Sequence, residues 1–410
     1  MAILSMDKFG YYQLDNYKTY SVYELMDYYK FWRKKHRGKP NDFWSKNKQP
    51  YRWIYNDDFY SQYNWGREPT ESLNELYKNR AKELREQYDY IVLYYSGGYD
   101  SANMLHAFLD NDIYPDEICT FYSKHDTVGY QYRELKNYTW QKLDNIKKTF
   151  PNIKIRKFDY SDIIFDWPNI IKRHNSKIDP IYLWGPRLSV HRVALDVMYE
   201  YIDDWKQLLK NNKSLCTLHG VDNPRLRYNF ENNTFVHNFS DVDVYGHLTA
   251  MRQLTDKKDR DSLEFFYWGP TEHGAKIIIK QCHLAKKFYN ELCEGKWLKL
   301  INIKDVVRAD KNNVSTYLAF ANNGYEPLKQ IIYPRLFTDN EKFFNEHNNS
   351  AFWGNRDTWY FNTDFPNSKK HWEEIYLSRF DSKHTHWKDF FINKKIDEGH
   401  RKILSKDYII

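Results

Sequence analysis

Apolar positions change period repeatedly between residues 88 and 160. Tyr90-Ile-Val-Leu-Tyr-Tyr is a continuous run of buried-strand length, stopped by Ser96-Gly97-Gly98. After the glycines, Ala102, Leu105, Phe108 and Leu109 recur at helical spacing, which predicts strand, tight turn and helix in succession. Glu117-Ile-Cys-Thr-Phe-Tyr122 is a second short buried strand. Tyr132, Leu135, Leu143, Ile146 and Phe150 mark one face of a long helix, and Ile153-Lys-Ile-Arg-Lys-Phe158 alternates as a third strand. A helix through Leu188, His191, Leu195, Met198 and Ile202 follows, with His191 on the apolar face as a core residue. Leu215-Cys-Thr-Leu-His-Gly220 is then a strand closing on glycine. Strands separated by helices predict a parallel sheet with right-handed crossovers.

Flanking this region, Ser72-Leu-Asn-Glu75 has the form of a capping box opening a helix that runs to about Glu86. Tyr23 to Trp32 predicts a tyrosine-rich helix. After about residue 230 the alternation stops. Phe265-Phe-Tyr-Trp-Gly-Pro270 leads into a helix with Ile278, Ala285, Phe288 and Leu292 on its apolar face. Lys276, Lys280, His283 and Lys287 share an adjacent polar face, and Tyr333-Pro-Arg335 and Asp357-Thr-Trp359 punctuate an aromatic tail. The expected organisation is an aromatic, basic N-terminal segment over 1–85, an α/β domain over 86–230 and a mostly helical C-terminal region over 231–410.

A chain of 410 residues is long enough for a large core and two or three structural units. Its 36 tyrosines, 25 phenylalanines and 14 tryptophans supply core volume and surfaces on which bases stack. The net charge of +7 favours anionic partners without demonstrating nucleic-acid binding. Arg33, Lys34, Lys35, Arg37 and Lys39 precede aromatics at Phe43, Trp44, Tyr51 and Trp53. That stretch suits either nucleic acid or a solvated loop beside an aromatic core. Cys119, Cys216, Cys282 and Cys293 stand apart, with neither zinc-knuckle nor disulfide spacing. The start lacks the pattern of a signal peptide, and no apolar run has membrane-spanning length. A reducing, cytoplasmic location and no membrane partner are the expectation.

The chemistry centres on the glycine turn. Two adjacent glycines let the backbone turn sharply and approach a ligand. The following helix start presents unpaired N–H groups and the positive end of its dipole, which suits phosphate. No lysine follows the glycines, so the turn is not a Walker A loop. Ser96-Gly97-Gly98-Tyr99-Asp100-Ser101 resembles instead the pyrophosphate loop of the PP-loop ATP pyrophosphatases, whose pattern is Ser-Gly-Gly-x-Asp-Ser. Members include the GMP, NAD and asparagine synthetases and several tRNA-modifying enzymes. Gly220-Val-Asp222, with Arg225 and Arg227 beyond, is similar to that family's second glycine–aspartate element, or is a plain turn before Asn-Pro.

The resemblance covers roughly residues 86 to 230 and implies a Rossmann-like parallel sheet. It further implies cleavage of ATP between its α- and β-phosphates, transfer of AMP to an acceptor and release of pyrophosphate. Ser96, Gly97, Gly98, Tyr99 and Ser101 would cradle the phosphates, while Asp100 and Asp222 would hold Mg²⁺. Adenine would lie near Phe121 and Tyr122, and the turn at Gly220 would face the pyrophosphate. Arg225, Arg227 or Lys280 would stabilise leaving-group charge, a choice left open. Ala2 stands where glutamine-dependent asparagine synthetases begin with cysteine, and no C-x-x-C pair of the thiolation enzymes is present. Nor is there the cysteine-rich zinc site of the 7-cyano-7-deazaguanine synthases. Tyr99 stands where sulfonucleotide reductases usually show lysine. What remains is an amide- or amine-forming ligase or an enzyme that modifies a nucleotide or nucleic acid; the alternative is a binding protein that senses nucleotide or holds nucleic acid without turnover.

Overall fold

The computed structural model describes residues 10–19, 51–125, 135–166, 169, 198–220, 226–229, 232, 234–239, 261–293, 307–309, 317–320, 326–338 and 405–410. The chain begins with an antiparallel sheet of β1 (Tyr11–Leu14), β2 (Tyr17–Thr19) and β3 (Tyr51–Ile54), in the order β2-β1-β3. The short α1 (Asp57–Tyr60) and the longer α2 (Leu73–Gln87) follow. The capping box is present: Ser72 Oγ accepts from Glu75 N at 3.2 Å, and the Glu75 carboxylate accepts from Ser72 N at 2.7 Å.

The α/β core then alternates in the expected order, through β4 (Tyr90–Tyr94), α3 (Tyr99–Leu109), β5 (Glu117–Tyr122), α4 (Trp140–Thr149) and β6 (Lys154–Asp159). A π-helical turn at Leu135–Thr139 leads into α4. The short α5 (Ser161–Phe165) and α6 (Asp203–Lys210) precede β7 (Leu215–His219). Of the helix expected over 188–202, the described part is a 3-10 turn at Met198–Glu200.

Beyond β7 the chain departs from the expected boundary at 230. β8 (Leu226–Asn229) and β9 (Thr234–His237) leave the parallel sheet, and β10 (Asp261–Phe265) returns to it beside β7. The 22-residue α7 (Glu272–Cys293), β11 (Val307–Ala309), β12 (Tyr317–Phe320), α8 (Glu326–Ile332) and β13 (Tyr408–Ile409) follow. The C-terminal region therefore supplies strands as well as helices: β11-β12-β8-β9-β13 form an antiparallel sheet.

The five-stranded parallel sheet has the order β10-β7-β4-β5-β6. Ile91, Val92, Leu93, Ile118, Leu215 and Leu218 are wholly buried, as expected of strands covered on both faces. α2 packs against α3 and α7. The order places β4 at the centre, with the chain moving outward to β5 and β6 before returning to β7 on the other side. The strand order reverses between β4 and β7, and the carboxyl ends of strands at such a reversal are where ligands bind on open parallel sheets.

An aromatic seam joins this sheet to its neighbours. Tyr55 and Tyr60 both donate their hydroxyls to Trp268 O, at 2.6 and 2.7 Å. Trp65 stacks with the rings of both His237 and Tyr408, with centroids 5.3 and 4.3 Å away. Much of the aromatic load is thus core. No helix among the described residues is long and apolar enough to cross a membrane.

Candidate functional site

The Ser96–Ser101 turn lies at the carboxyl end of β4 and runs directly into α3. Gly97 has φ +90°, a conformation that suits glycine, and a Cβ there would collide with Thr139 Oγ1. Thr139 in turn donates its hydroxyl to Ser96 O at 3.0 Å, fastening the turn to the start of α4. Gly98 is the N-cap of α3 and supplies no side-chain cap. The exposed Ser96 and the buried Ser101 bring their Oγ atoms within 3.1 Å of each other. Ser101 Oγ also donates to Gly98 O at 3.1 Å and accepts from Ser96 N at 3.2 Å. Ser101 therefore shapes the turn from within, while Ser96 faces solvent.

Gly220, just past β7, closes the other wall. A Cβ at this position would lie 2.9 Å from Asp100 O and 3.2 Å from Ser101 Cα, so only glycine lets the two segments meet this closely. His219 completes the wall. Its ring packs edge-on against Tyr94 at 4.3 Å between centroids, and burial pushes its pKa down to about 3, leaving a neutral imidazole. Phe121, half-buried at the end of β5, meets Tyr94 edge-on at 4.6 Å; Tyr122 meets Trp140 in the same way at 5.3 Å.

Asp100 is held from the C-terminal region. Its Oδ1 accepts from Lys329 Nζ at 2.8 Å and from Tyr333 OH at 2.6 Å. Its backbone oxygen accepts from Tyr267 OH at 2.6 Å, and Tyr267 OH accepts from Asn103 Nδ2 at 3.1 Å. Burial, with the Asp100 charge adding to it, raises the Tyr333 phenol far above its ordinary range, so it remains a donor. The same segment continues along α3: Phe337 stacks on Tyr99 at 5.6 Å, and Arg335 pairs with Asp110 at 2.5 Å.

This arrangement gives Asp100 a partner that the sequence did not point to. Asp100 is the ion-pair partner of a nearly buried lysine. Among the described residues, no group of three or more His, Cys, Asp or Glu side chains is placed to hold a metal ion. Asp222, the second acid expected beside Asp100, lies outside the described residues. Lys280 is bound elsewhere, to Glu68 Oε1 at 2.7 Å and Pro69 O at 2.9 Å, and contacts no residue of the turn. Arg225 also lies outside the described residues, as do Arg33, Lys34, Lys35, Arg37 and Lys39; Arg227 is described by its backbone alone, in β8.

Thr139, His219, Tyr267, Lys329 and Tyr333 join the site although no sequence motif points to them. One weaker signal does exist for the last two. Lys329 interrupts the apolar run of Leu328, Ile331 and Ile332, and Tyr333 follows it at i+4 on the same helical face. Comparison with known protein families, with curated proteins and with solved structures gives no match to this chain.

Proposed function

We propose that this protein is an ATP pyrophosphatase that adenylates an acceptor and releases pyrophosphate. The observation that carries the reading is the Ser96–Ser101 turn, fixed at the sheet's reversal point and leading into a helix with no side-chain cap. ATP would enter as its magnesium complex. An oxygen of the acceptor attacks the α-phosphorus, the bond from that phosphorus to the α,β-bridging oxygen breaks, and the β- and γ-phosphates depart together. The acceptor keeps AMP until a nucleophile displaces it.

The charge that develops on the departing pyrophosphate would be met by first-turn N–H groups of α3, by Ser96 Oγ and by the Lys329 ammonium. Phe121 and Tyr122 would flank adenine. The acceptor would be a small carboxylate or amide, as in an amide- or amine-forming ligase, or a nucleotide or nucleic-acid base. A second reading has one observation in its favour: the Asp100 carboxylate is already engaged by Lys329 and Tyr333, as would suit nucleotide binding without turnover.

The test uses α-labelled ATP with magnesium and a divided pool of amino acids, nucleotides and tRNA, with Ser96→Ala alongside. AMP and pyrophosphate from the intact chain, slowed about 10²-fold in the variant, are expected. ADP and phosphate would discard the mechanism, and tight binding without products would select the sensor.

A further inference from the structure

Lys329 carries the most unusual charge near the turn. Its side chain is 4 % exposed, and its ion pair is with Asp100, whose side chain is 30 % exposed. The Lys329 ammonium also lies 5.1 Å from the Tyr333 ring centroid. An ammonium has three N–H donors. Asp100 takes one, and among the described residues no other hydrogen-bond acceptor meets the remaining two. The groups packed around the carboxylate, Tyr333 and Tyr267, are phenols whose pKa values burial raises, so neither adds a second negative charge to the site. A carboxylate already neutralised by a buried ammonium is a poor ligand for a divalent cation. An ion on its other oxygen would be close enough to that ammonium to be repelled by it.

We propose that Lys329 is the resident cation of the Ser-Gly-Gly turn, bridging Asp100 to a bound polyphosphate, so that the phosphates are held there without a metal ion on Asp100. The inference rests on the phosphate-binding reading of the turn. It assigns to α8 a role that the sequence distributed among Arg225, Arg227 and Lys280. The part played by Asp100 changes with it, because the carboxylate now orients the lysine, which presents its remaining donors to the ligand. Asp100 is then a positioning residue.

Two measurements on the full chain test this. The first titrates Mn²⁺, as a paramagnetic substitute for Mg²⁺, into the intact protein and Asp100→Asn without nucleotide. Equal uptake is expected; a Mn²⁺ site present in the intact chain and lost in Asp100→Asn would overturn the proposal. The second follows inorganic pyrophosphate binding by calorimetry. Binding should persist in excess EDTA, weaken about tenfold or more in Lys329→Met and recover partly in Lys329→Arg. Thermal unfolding of each variant confirms that it is folded. Binding abolished by EDTA, or unchanged in Lys329→Met, would also overturn it. If pyrophosphate binds under neither condition, the phosphate reading itself fails, while the Mn²⁺ result still decides whether Asp100 carries a metal.

Discussion

Asp100 and Lys329 depend on each other. Replacing Asp100 with alanine leaves an ammonium buried without its counter-charge. The expected destabilisation is roughly 1–3 kcal/mol, below that of a fully buried pair because Asp100 reaches solvent. Urea unfolding of Asp100→Ala and Asp100→Ala/Lys329→Met separates the effects: the double variant should recover most of the loss, and no recovery would refute the pairing. His219 gives the turn a dependence on acid. Its pKa is pushed down to about 3, so the stability of the neutral ring is intact above roughly pH 6.5. That stability is lost progressively as pH falls towards 3, because the unfolded chain then binds a proton that the folded chain refuses. Thermal midpoints of the intact protein should therefore fall more steeply over this range than those of His219→Gln; parallel curves would remove His219 from the account. These roles were only half legible. The two glycines, Asp100 and both serines announce a tight turn by local pattern, but the lysine that pairs with Asp100 lies 229 residues away.

At the scale of elements, legibility follows how much of an element's environment is local. β4, α3, β5 and β6 show in the sequence because their apolar periods are complete within each segment. The helix at α2 shows because Ser72 and Glu75 satisfy each other's backbone N–H groups within one turn. Ser72→Ala should cost about 1 kcal/mol in urea unfolding, and a change near zero would mean that water replaces the cap. β10 was not legible because Glu264, near its end, looks like a solvent residue. It is 1 % exposed and takes hydrogen bonds from Arg80 at 3.1 Å and from Tyr88, groups 184 and 176 positions earlier. α8 was obscured in the same way: its anchors are Asp100 and Tyr77, whose hydroxyl donates to Ile332 O at 2.6 Å. Arg335→Ala with Phe337→Ala should loosen the segment from α3, seen as faster amide exchange over 326–338 and in the first turns of α3. Unchanged exchange in α3 would show that these contacts hold nothing in place.

Across the whole molecule, the aromatic seam couples the N-terminal segment to both larger sheets. Tyr55 and Tyr60 converge on one carbonyl at the end of the parallel sheet, while Trp65 bridges to β9 and β13 through His237 and Tyr408. Trp65→Ala removes the central ring and should destabilise by roughly 3–5 kcal/mol. Because the ring links separate sheets, denaturant unfolding is expected to split into two transitions; a single shifted transition would argue that other contacts carry the coupling. The net charge of +7 is a count over the whole chain, and it does not show that Lys329, one of its cations, is buried against Asp100 at the turn.

The 229-residue separation between Asp100 and Lys329 also orders events during synthesis. Ser96–Ser101 leaves the ribosome long before α8 exists. At about 5–20 residues per second, Asp100 waits roughly 10–45 s for its lysine. During that interval the nascent turn carries an uncompensated carboxylate, which repels phosphate, and the proposed polyphosphate site would be complete only after residues 326–338 have docked.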